Sequence, residues 1–148
     1  MTRQAATQPA GQRDDRHLEV SRDVIAKLRL VCLDLPDAYE ETAWTGTRWM
    51  VRKKNFAHVL MIGGGWPPAY VRAAGTDGPA CVLTFRSSYP ALDAPRFARY
   101  PFFRPVWWPN IVGMVIDADV DWDNVAALLK RSYCVMAPKT LAGLVDCA

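Results

Sequence analysis

The segment Asp121–Leu141, DWDNVAALLKRSYCVMAPKTL, restricts the possible folds more than any other part of the chain. Asp121 suits a helix N-cap, and Asp123 adds negative charge in the first turn, where the helix dipole favours it. The apolar residues at helical spacing are Trp122, Val125, Leu128 and Leu129. Lys130 and Arg131 suit the C-terminal end of the helix, and Pro138 opens a second short helix or turn. The pattern predicts a helix with one buried face.

A second amphipathic helix is predicted over Asp15–Leu33. Its apolar residues recur at helical spacing, and charged residues fill the other face. Asp14, Asp15 or Ser21 could cap its start. Pro36 ends it, because the residue before a proline is pushed out of the helical region.

The middle of the chain predicts antiparallel strands. Thr45–Ile62 has the alternation of a β-hairpin, with its turn at Lys53-Lys54-Asn55, where Asn tolerates a positive φ. Further strands are predicted within Leu35–Trp44, at Cys81–Arg86 and at Asn110–Ile116, with a short helix within Ser87–Tyr100. This order predicts an α+β two-layer sandwich: an antiparallel sheet of about five or six strands with helices packed on one side.

The segment Gly63–Ala80 is rich in Gly and Pro and predicts a long loop or an irregular hairpin. Its Gly triplet is not a phosphate-binding loop, because neither Lys-Ser/Thr nor a helix start follows it. Trp66 and Tyr70 within it are candidate contacts for a ligand or for stacking. Trp107 and Trp108, in the aromatic approach to the last strand, are candidates of the same kind.

The length of 148 residues fits a single domain. Residues 1–14 are polar and without periodicity, which predicts a disordered tail before a domain spanning residues 15–148. The four cysteines are far apart, without a CxxC pair, and predict reduced thiols. The first twenty residues have no apolar core of a signal peptide, and no apolar run is long enough to cross a membrane. A cytoplasmic protein without membrane contact is therefore expected, and a monomer is favoured.

The net charge of +3 is unevenly distributed. Residues 48–104 carry 9 Lys/Arg and 2 Asp/Glu, whereas the segments on either side are each net negative by two charges. A basic central segment of this kind is typical of a nucleic-acid-binding surface, unless folding distributes its charges over different faces of the molecule. The candidate nucleic-acid-binding residues are Arg48, Arg52, Lys53, Lys54, Arg86 and Arg99.

No pattern in the sequence predicts catalysis, a cofactor or a metal site. His17 and His58 are far apart, and His17 is expected to point to solvent and His58 to pack on its strand. The alternating acidic residues of 117–123 lack the glycine and distant Glu of an EF-hand, so capping and turn formation explain them better. Ser132 and Tyr133 with Lys139 suggest a catalytic pair, but the favoured interpretation is that the first two satisfy local backbone where a helix ends.

The chain resembles the MmcQ/YjbR-like family of bacterial proteins. The residues that carry the resemblance are CLDLPDAYEETAW (Cys32–Trp44), KNFA (Lys54–Ala57), a segment around Phe97, and Trp122 followed by SYCVMAPKTL (Ser132–Leu141). The resemblance covers about Val20–Leu144. It implies a CyaY-like α/β sandwich and a DNA-binding role through a double-wing arrangement, and it brings no enzymatic activity. The longer glycine-rich segment and the WWPNIVG run depart from the family pattern.

Two functions follow as expectations. The first is a non-enzymatic DNA-binding module that uses the basic hairpin. The alternative is a protein- or small-ligand-binding domain that uses the open face of the sheet and the aromatic loops. Whether that face is aromatic or studded with arginines distinguishes the two.

Overall fold

The computed structural model describes residues 18–147, which contain one six-stranded antiparallel sheet in the order β1-β2-β3-β4-β6-β5. The strands are β1 Tyr39–Thr42, β2 Thr47–Val51, β3 Lys54–Ile62, β4 Ala80–Arg86, β5 Phe102–Phe103 and β6 Ile111–Ile116. The helices are α1 Arg22–Cys32, α2 Pro68–Ala74, α3 Trp122–Met136 and α4 Lys139–Ala142, with 3-10 turns at Ala91–Asp93 and Pro95–Ala98. The predicted α+β two-layer sandwich is confirmed.

Helix α1 is shorter than predicted. Ser21 is its N-cap and accepts a hydrogen bond from the Val24 amide, so residues 18–21 lie outside the helix. It buries Leu28 and Cys32 against the sheet. The predicted tail at residues 1–14, the alternative caps and His17 lie outside the described residues.

Helix α3 begins as predicted and ends later. The Asp121 carboxylate accepts hydrogen bonds from the amides of Asp123 and Asn124. The helix continues past Arg131 to Met136, so the prediction that Ser132 and Tyr133 mark its end was wrong. It stops because Pro138 disfavours helical backbone at the preceding residue, and α4 then follows as expected.

The two faces of the sheet differ. Helices α1 and α3 cover one face, and the large core contains residues of both helices together with Trp49, Val59, Leu83 and Val112. The opposite face, called the open face below, lacks a long helix in the described part of the chain. A smaller apolar cluster of Leu60, Ile62, Tyr70, Val82 and Phe103 lies there.

The β2–β3 turn falls one residue earlier than predicted. Val51 pairs with Lys54, so the turn residues are Arg52 and Lys53, with φ of 49° and 67°. Asn55 already lies in β3. At the register shift between Trp49 and Met50, β3 carries one extra residue, Phe56, because Trp49 pairs with Ala57 and Met50 with Asn55, and this moves the turn.

The prediction that no helix start follows the Gly triplet was wrong. Helix α2 begins at Pro68 and ends at Gly75, whose φ is 73°. Proline suits the first helical position because its missing N–H would lack a partner there, and glycine suits the left-handed C-terminal position. Tyr70 of this helix packs on the open face.

Cys134 and Cys147 form a disulfide bond across a Cα–Cα distance of 6.2 Å, so the prediction of reduced thiols was wrong for this pair. The bond joins α3 to the segment after α4. Cys32 and Cys81 are free thiols. None of the helices in residues 18–147 is long and apolar enough to cross a membrane.

Candidate functional site: an aromatic pocket on the open face

Aromatic side chains from three connections meet on the open face. Trp44 comes from the β1–β2 turn, Trp66 and Tyr70 from the β3–β4 connection, and Trp107 from the β5–β6 loop. The ring centroid of Trp44 lies 5.8 Å from that of Trp66 and 6.3 Å from that of Tyr70, and Tyr70 lies 4.9 Å from Trp107. These are ordinary spacings for packed aromatic rings. Trp44, Trp66, Tyr70 and Trp107 are called the aromatic cluster below.

The β5–β6 loop completes this cluster with Trp107. β6 begins at Ile111, which pairs with Arg86 at the far end of β4 from the β3–β4 connection. Trp107 lines the pocket at this end of the sheet, and the Tyr70 ring, which also lies 6.4 Å from the His58 ring, extends over the sheet to meet it. Arg104 holds the loop by donating from Nη1 to the Leu92 carbonyl and from Nη2 to the Pro109 carbonyl.

The β1–β2 turn places Trp44 close to the sheet. Gly46 in this turn has a φ of 73°, and a Cβ atom there would lie 1.9 Å from the Val59 carbonyl oxygen. The turn can approach β3 this closely only because residue 46 lacks a side chain. Trp44 itself remains 65% exposed, so it forms a rim rather than core.

A pocket of about 170 Å³ lies beside the aromatic cluster. Trp44, Tyr70 and Trp107 line it, and His58, Thr84 and Arg86 of β3 and β4 contribute polar groups. Its size is close to that of an engineered cavity of about 150 Å³ that admits benzene. The pocket therefore has room for a single ring, with polar groups from the sheet within reach.

His58 is a neutral hydrogen-bonding group in this pocket. Its Nε2 lies 2.7 Å from the Thr45 carbonyl oxygen, and because a carbonyl only accepts, Nε2 carries the proton. Burial lowers the pKa of His58, against the opposing effect of that bond, and the nearby Arg48 charge lowers it further. The neutral imidazole is thus favoured.

Arg86 is a half-buried cation held by neutral groups. Its Nε donates to the Asn55 carbonyl at 3.2 Å and its Nη1 to the Asn110 side-chain oxygen at 3.0 Å. The guanidinium carbon lies 5.8 Å from the Trp108 ring centroid. No carboxylate within residues 18–147 lies within ion-pair distance of Arg86, and burial lowers its pKa.

Ser132 of α3 fixes the backbone at Arg86 from the other face of the sheet. Ala57 pairs with Phe85, so Phe56 and Arg86 would be the next pair between β3 and β4. The fully buried Ser132 hydroxyl lies between them instead. It donates to the Phe56 carbonyl at 2.5 Å and accepts from the Arg86 amide at 2.7 Å.

Ser132 and Tyr133 therefore bond backbone that is distant in sequence, not local backbone as predicted. The Tyr133 hydroxyl donates to the Pro36 carbonyl at 2.6 Å. Their interpretation as structural residues agrees with these bonds. The capping and turn role predicted for the acidic run is confirmed at Asp121 and also at Asp117, which accepts from the Asp119 amide.

The candidate basic residues separate into groups. Arg48 lies on the open face, opposite His58, but pairs with Glu41, and Arg52 pairs with Asp37 at 3.2 Å. Lys53 and Lys54 are exposed at the β2–β3 turn, without an ion pair in the described residues. Arg99 is exposed after the second 3-10 turn. Only Arg86 lines the aromatic pocket.

Wider depressions lie along α1. One of about 440 Å³ has Val24, Met61 and Trp122 in its wall, and one of about 630 Å³ has Ile25, Arg29 and Thr47. Both are larger than the aromatic pocket, but both are more open and lack its packed rings, and the packed rings make the aromatic pocket the candidate. No group of three or more His, Cys, Asp or Glu side chains within residues 18–147 could hold a metal ion.

The model of the YjbR family matches residues 33–135. The chain belongs to the YjbR family. The matched region contains all six strands, α2 and α3 almost to its end, so the family match includes the aromatic pocket, Arg86 and Ser132. None of the curated proteins compared with the chain matches it.

Sequence reasoning missed Trp44, His58 and Thr84 of this YjbR-family pocket. His58 could have been found, since residues 58, 60 and 62 share one face of β3 and Thr84 and Arg86 share that face on β4. Trp44 lies within the Gly-containing β1–β2 turn, and a large apolar side chain in a turn is a signal that could have been noted. The candidates Trp66, Tyr70, Trp107, Trp108 and Arg86 do lie together.

Proposed function

We propose that this chain is a non-enzymatic binding module whose aromatic pocket receives one planar ring of a small ligand or of a partner's side chain. The observation that carries the proposal is the convergence of Trp44, Tyr70 and Trp107, from three separate connections, around a ring-sized pocket, with Trp66 packed behind Trp44. Stacked and edge-on aromatic contacts stabilise such a ring by about 0.5–1.5 kcal/mol each beyond the burial of its surface.

The exposure of two rings of the aromatic cluster supports a binding role. Trp44 is largely exposed, and Trp107 is 39% exposed, so neither contributes a fully buried side chain to the core. Large apolar groups gathered at a concave surface are typical of contact sites. Stability alone would be served better by burying them.

The test is a titration of the 15N-labelled chain with single-ring compounds, followed through the six tryptophan indole N–H signals. Trp44, Trp66 and Trp107 are expected to shift. Trp49, buried on the helix side with its indole N–H bonded to Glu40, serves as the internal control, and a shift of Trp122 alone would place the ring in the depression along α1 instead. If no ring compound at millimolar concentration shifts any indole signal, the proposal is wrong.

Trp44→Ala is expected to weaken ring binding at least tenfold, because it removes the most exposed wall of the pocket. Leu30→Ala, a truncation of an even more exposed apolar side chain on α1, is the control and should bind as the unaltered protein does. Equal affinity of the two variants would contradict the assignment of the pocket.

DNA binding is the second candidate function, and the two exposed lysines at the β2–β3 turn favour it. The two-residue turn projects Lys53 next to Lys54, where contacts would be to phosphates and strongly dependent on salt. The ion pairs of Arg48 and Arg52 weaken the case, since their charges are already partly compensated. A cytoplasmic location and a CyaY-like fold stay predictions alongside it.

The DNA hypothesis is tested by anisotropy with labelled duplex and single-stranded DNA at low salt. Lys53→Glu/Lys54→Glu should abolish binding, whereas the charge-matched control Lys130→Glu/Arg131→Glu, on the helix side, should not. Absence of binding at tens of micromolar protein, or equal loss in both variants, would exclude the turn as a DNA contact.

A further inference from the structure

We propose that the ring-bearing ligand of the aromatic pocket is a monocarboxylate whose carboxylate binds Arg86. This inference rests on the proposed function and adds the chemical class of the ligand. The ring would lie against the aromatic cluster while the carboxylate reaches the guanidinium at the β4 side of the pocket.

The first support is an uncompensated charge. Arg86 is half-buried, and its two protein hydrogen bonds go to neutral oxygens, so no carboxylate in the described part of the chain offsets the loss of hydration. Fully buried cations are almost always paired, and Arg86 loses part of its hydration without such a pair within residues 18–147. An anionic ligand would supply the missing partner.

The second support is unused hydrogen-bonding capacity. Nη2 of Arg86 has no acceptor within residues 18–147 and is not sealed from solvent. A guanidinium offers donors in a planar fork that fits a carboxylate.

One charge in the pocket favours one charge in the ligand. Arg48 is the other cation on this part of the open face, and Glu41 already pairs with it. His58 is favoured as neutral. A doubly charged phosphate would leave one charge without a partner, whereas a carboxylate is matched by Arg86 alone.

Arg86 is also held in place before any ligand arrives. Its amide is fixed by Ser132, its Nε by Asn55 and its Nη1 by Asn110. A side chain that is already ordered loses less conformational entropy on binding, which raises affinity.

The test compares benzoate with benzamide and phenyl phosphate in the same indole titration, with affinities from the shifts. Benzamide has the shape of benzoate without its charge. Benzoate is expected to bind about tenfold more tightly than benzamide. This is the ratio of dissociation constants that corresponds to one hydrogen bond to a charged group. The Trp108 indole, beside Arg86, should shift with benzoate.

Variants of Arg86 test whether its charge, rather than an effect on folding, causes the preference for benzoate over benzamide. Arg86→Gln should reduce benzoate binding to the level of benzamide and leave benzamide binding unchanged. Arg86→Lys should retain part of the preference. Arg131→Gln, an exposed arginine on α3, is the control and should retain all of it.

The outcomes distinguish the two proposals. If benzoate and benzamide bind the unaltered protein equally, the carboxylate assignment is wrong, whereas the proposal of a ring-binding pocket is retained. This comparison needs no variant. Tighter binding of phenyl phosphate than benzoate also overturns the carboxylate assignment. Failure of all three compounds to shift any indole overturns both proposals.

Discussion

Replacing Ser132 with alanine should destabilise the chain by about 2–3 kcal/mol, since each buried backbone group left without a partner costs about 1–3 kcal/mol. The lost hydroxyl serves both the Phe56 carbonyl and the Arg86 amide. Alanine removes one oxygen atom, so no large cavity adds to the loss. Closure of β3 and β4 could restore one ladder bond, which keeps the value below the upper limit for two groups.

Urea denaturation followed by tryptophan fluorescence measures this change, and the midpoint should fall by about 1 M for a slope near 2 kcal/mol per M. Ser88→Ala, at an exposed serine of the following segment, is the control and should change stability by less than about 0.5 kcal/mol. The Arg86 amide should also exchange its hydrogen faster in Ser132→Ala. A variant as stable as the control would show that the strands pair without the hydroxyl, and would refute the reasoning.

Three further predictions concern other groups. Tyr133→Phe should cost about 1 kcal/mol in urea denaturation, because it removes the bond to the Pro36 carbonyl, whereas Tyr89→Phe at an exposed ring should cost nothing measurable. Burial lowers the pKa of His58 below its ordinary value, so the unfolded chain binds the proton more readily than the folded chain does. The free energy of unfolding should therefore fall as the pH drops below about 6.5. His58→Gln should flatten this part of the curve of unfolding free energy against pH. Alkylation of the chain after denaturation without a reductant, counted by mass spectrometry, should modify two thiols, and four modified thiols would contradict the disulfide bond.

Sequence patterns that depend only on neighbouring residues predicted much of the fold. The cap at Asp121, the apolar stripe of α3 and the alternation in the hairpin depend on neighbouring residues, and the structure agrees with them. Helix α2 was missed because the many Gly and Pro residues around it resemble a loop, although Pro68 and Gly75 are themselves suitable helix boundaries.

Features that depend on distant contacts could not be predicted in the same way. The turn at Arg52 and Lys53 depends on the extra residue Phe56 in β3, which no local preference indicates. Ser132 bonds backbone 76 and 46 positions away. Aromatic residues of the pocket were singled out individually from the sequence, but their meeting depends on how three separate connections pack on the open face.

The edges of the sheet affect how partners can approach. The edge strands are short, four residues in β1 and two in β5, and β1 carries Glu40 and Glu41. Short and charged edges discourage another chain from adding a strand, which is a common way for extended peptides to bind and for sheets to aggregate. Recognition by backbone pairing is therefore disfavoured, and a partner of this chain is expected to be selected by its side groups rather than by its main chain.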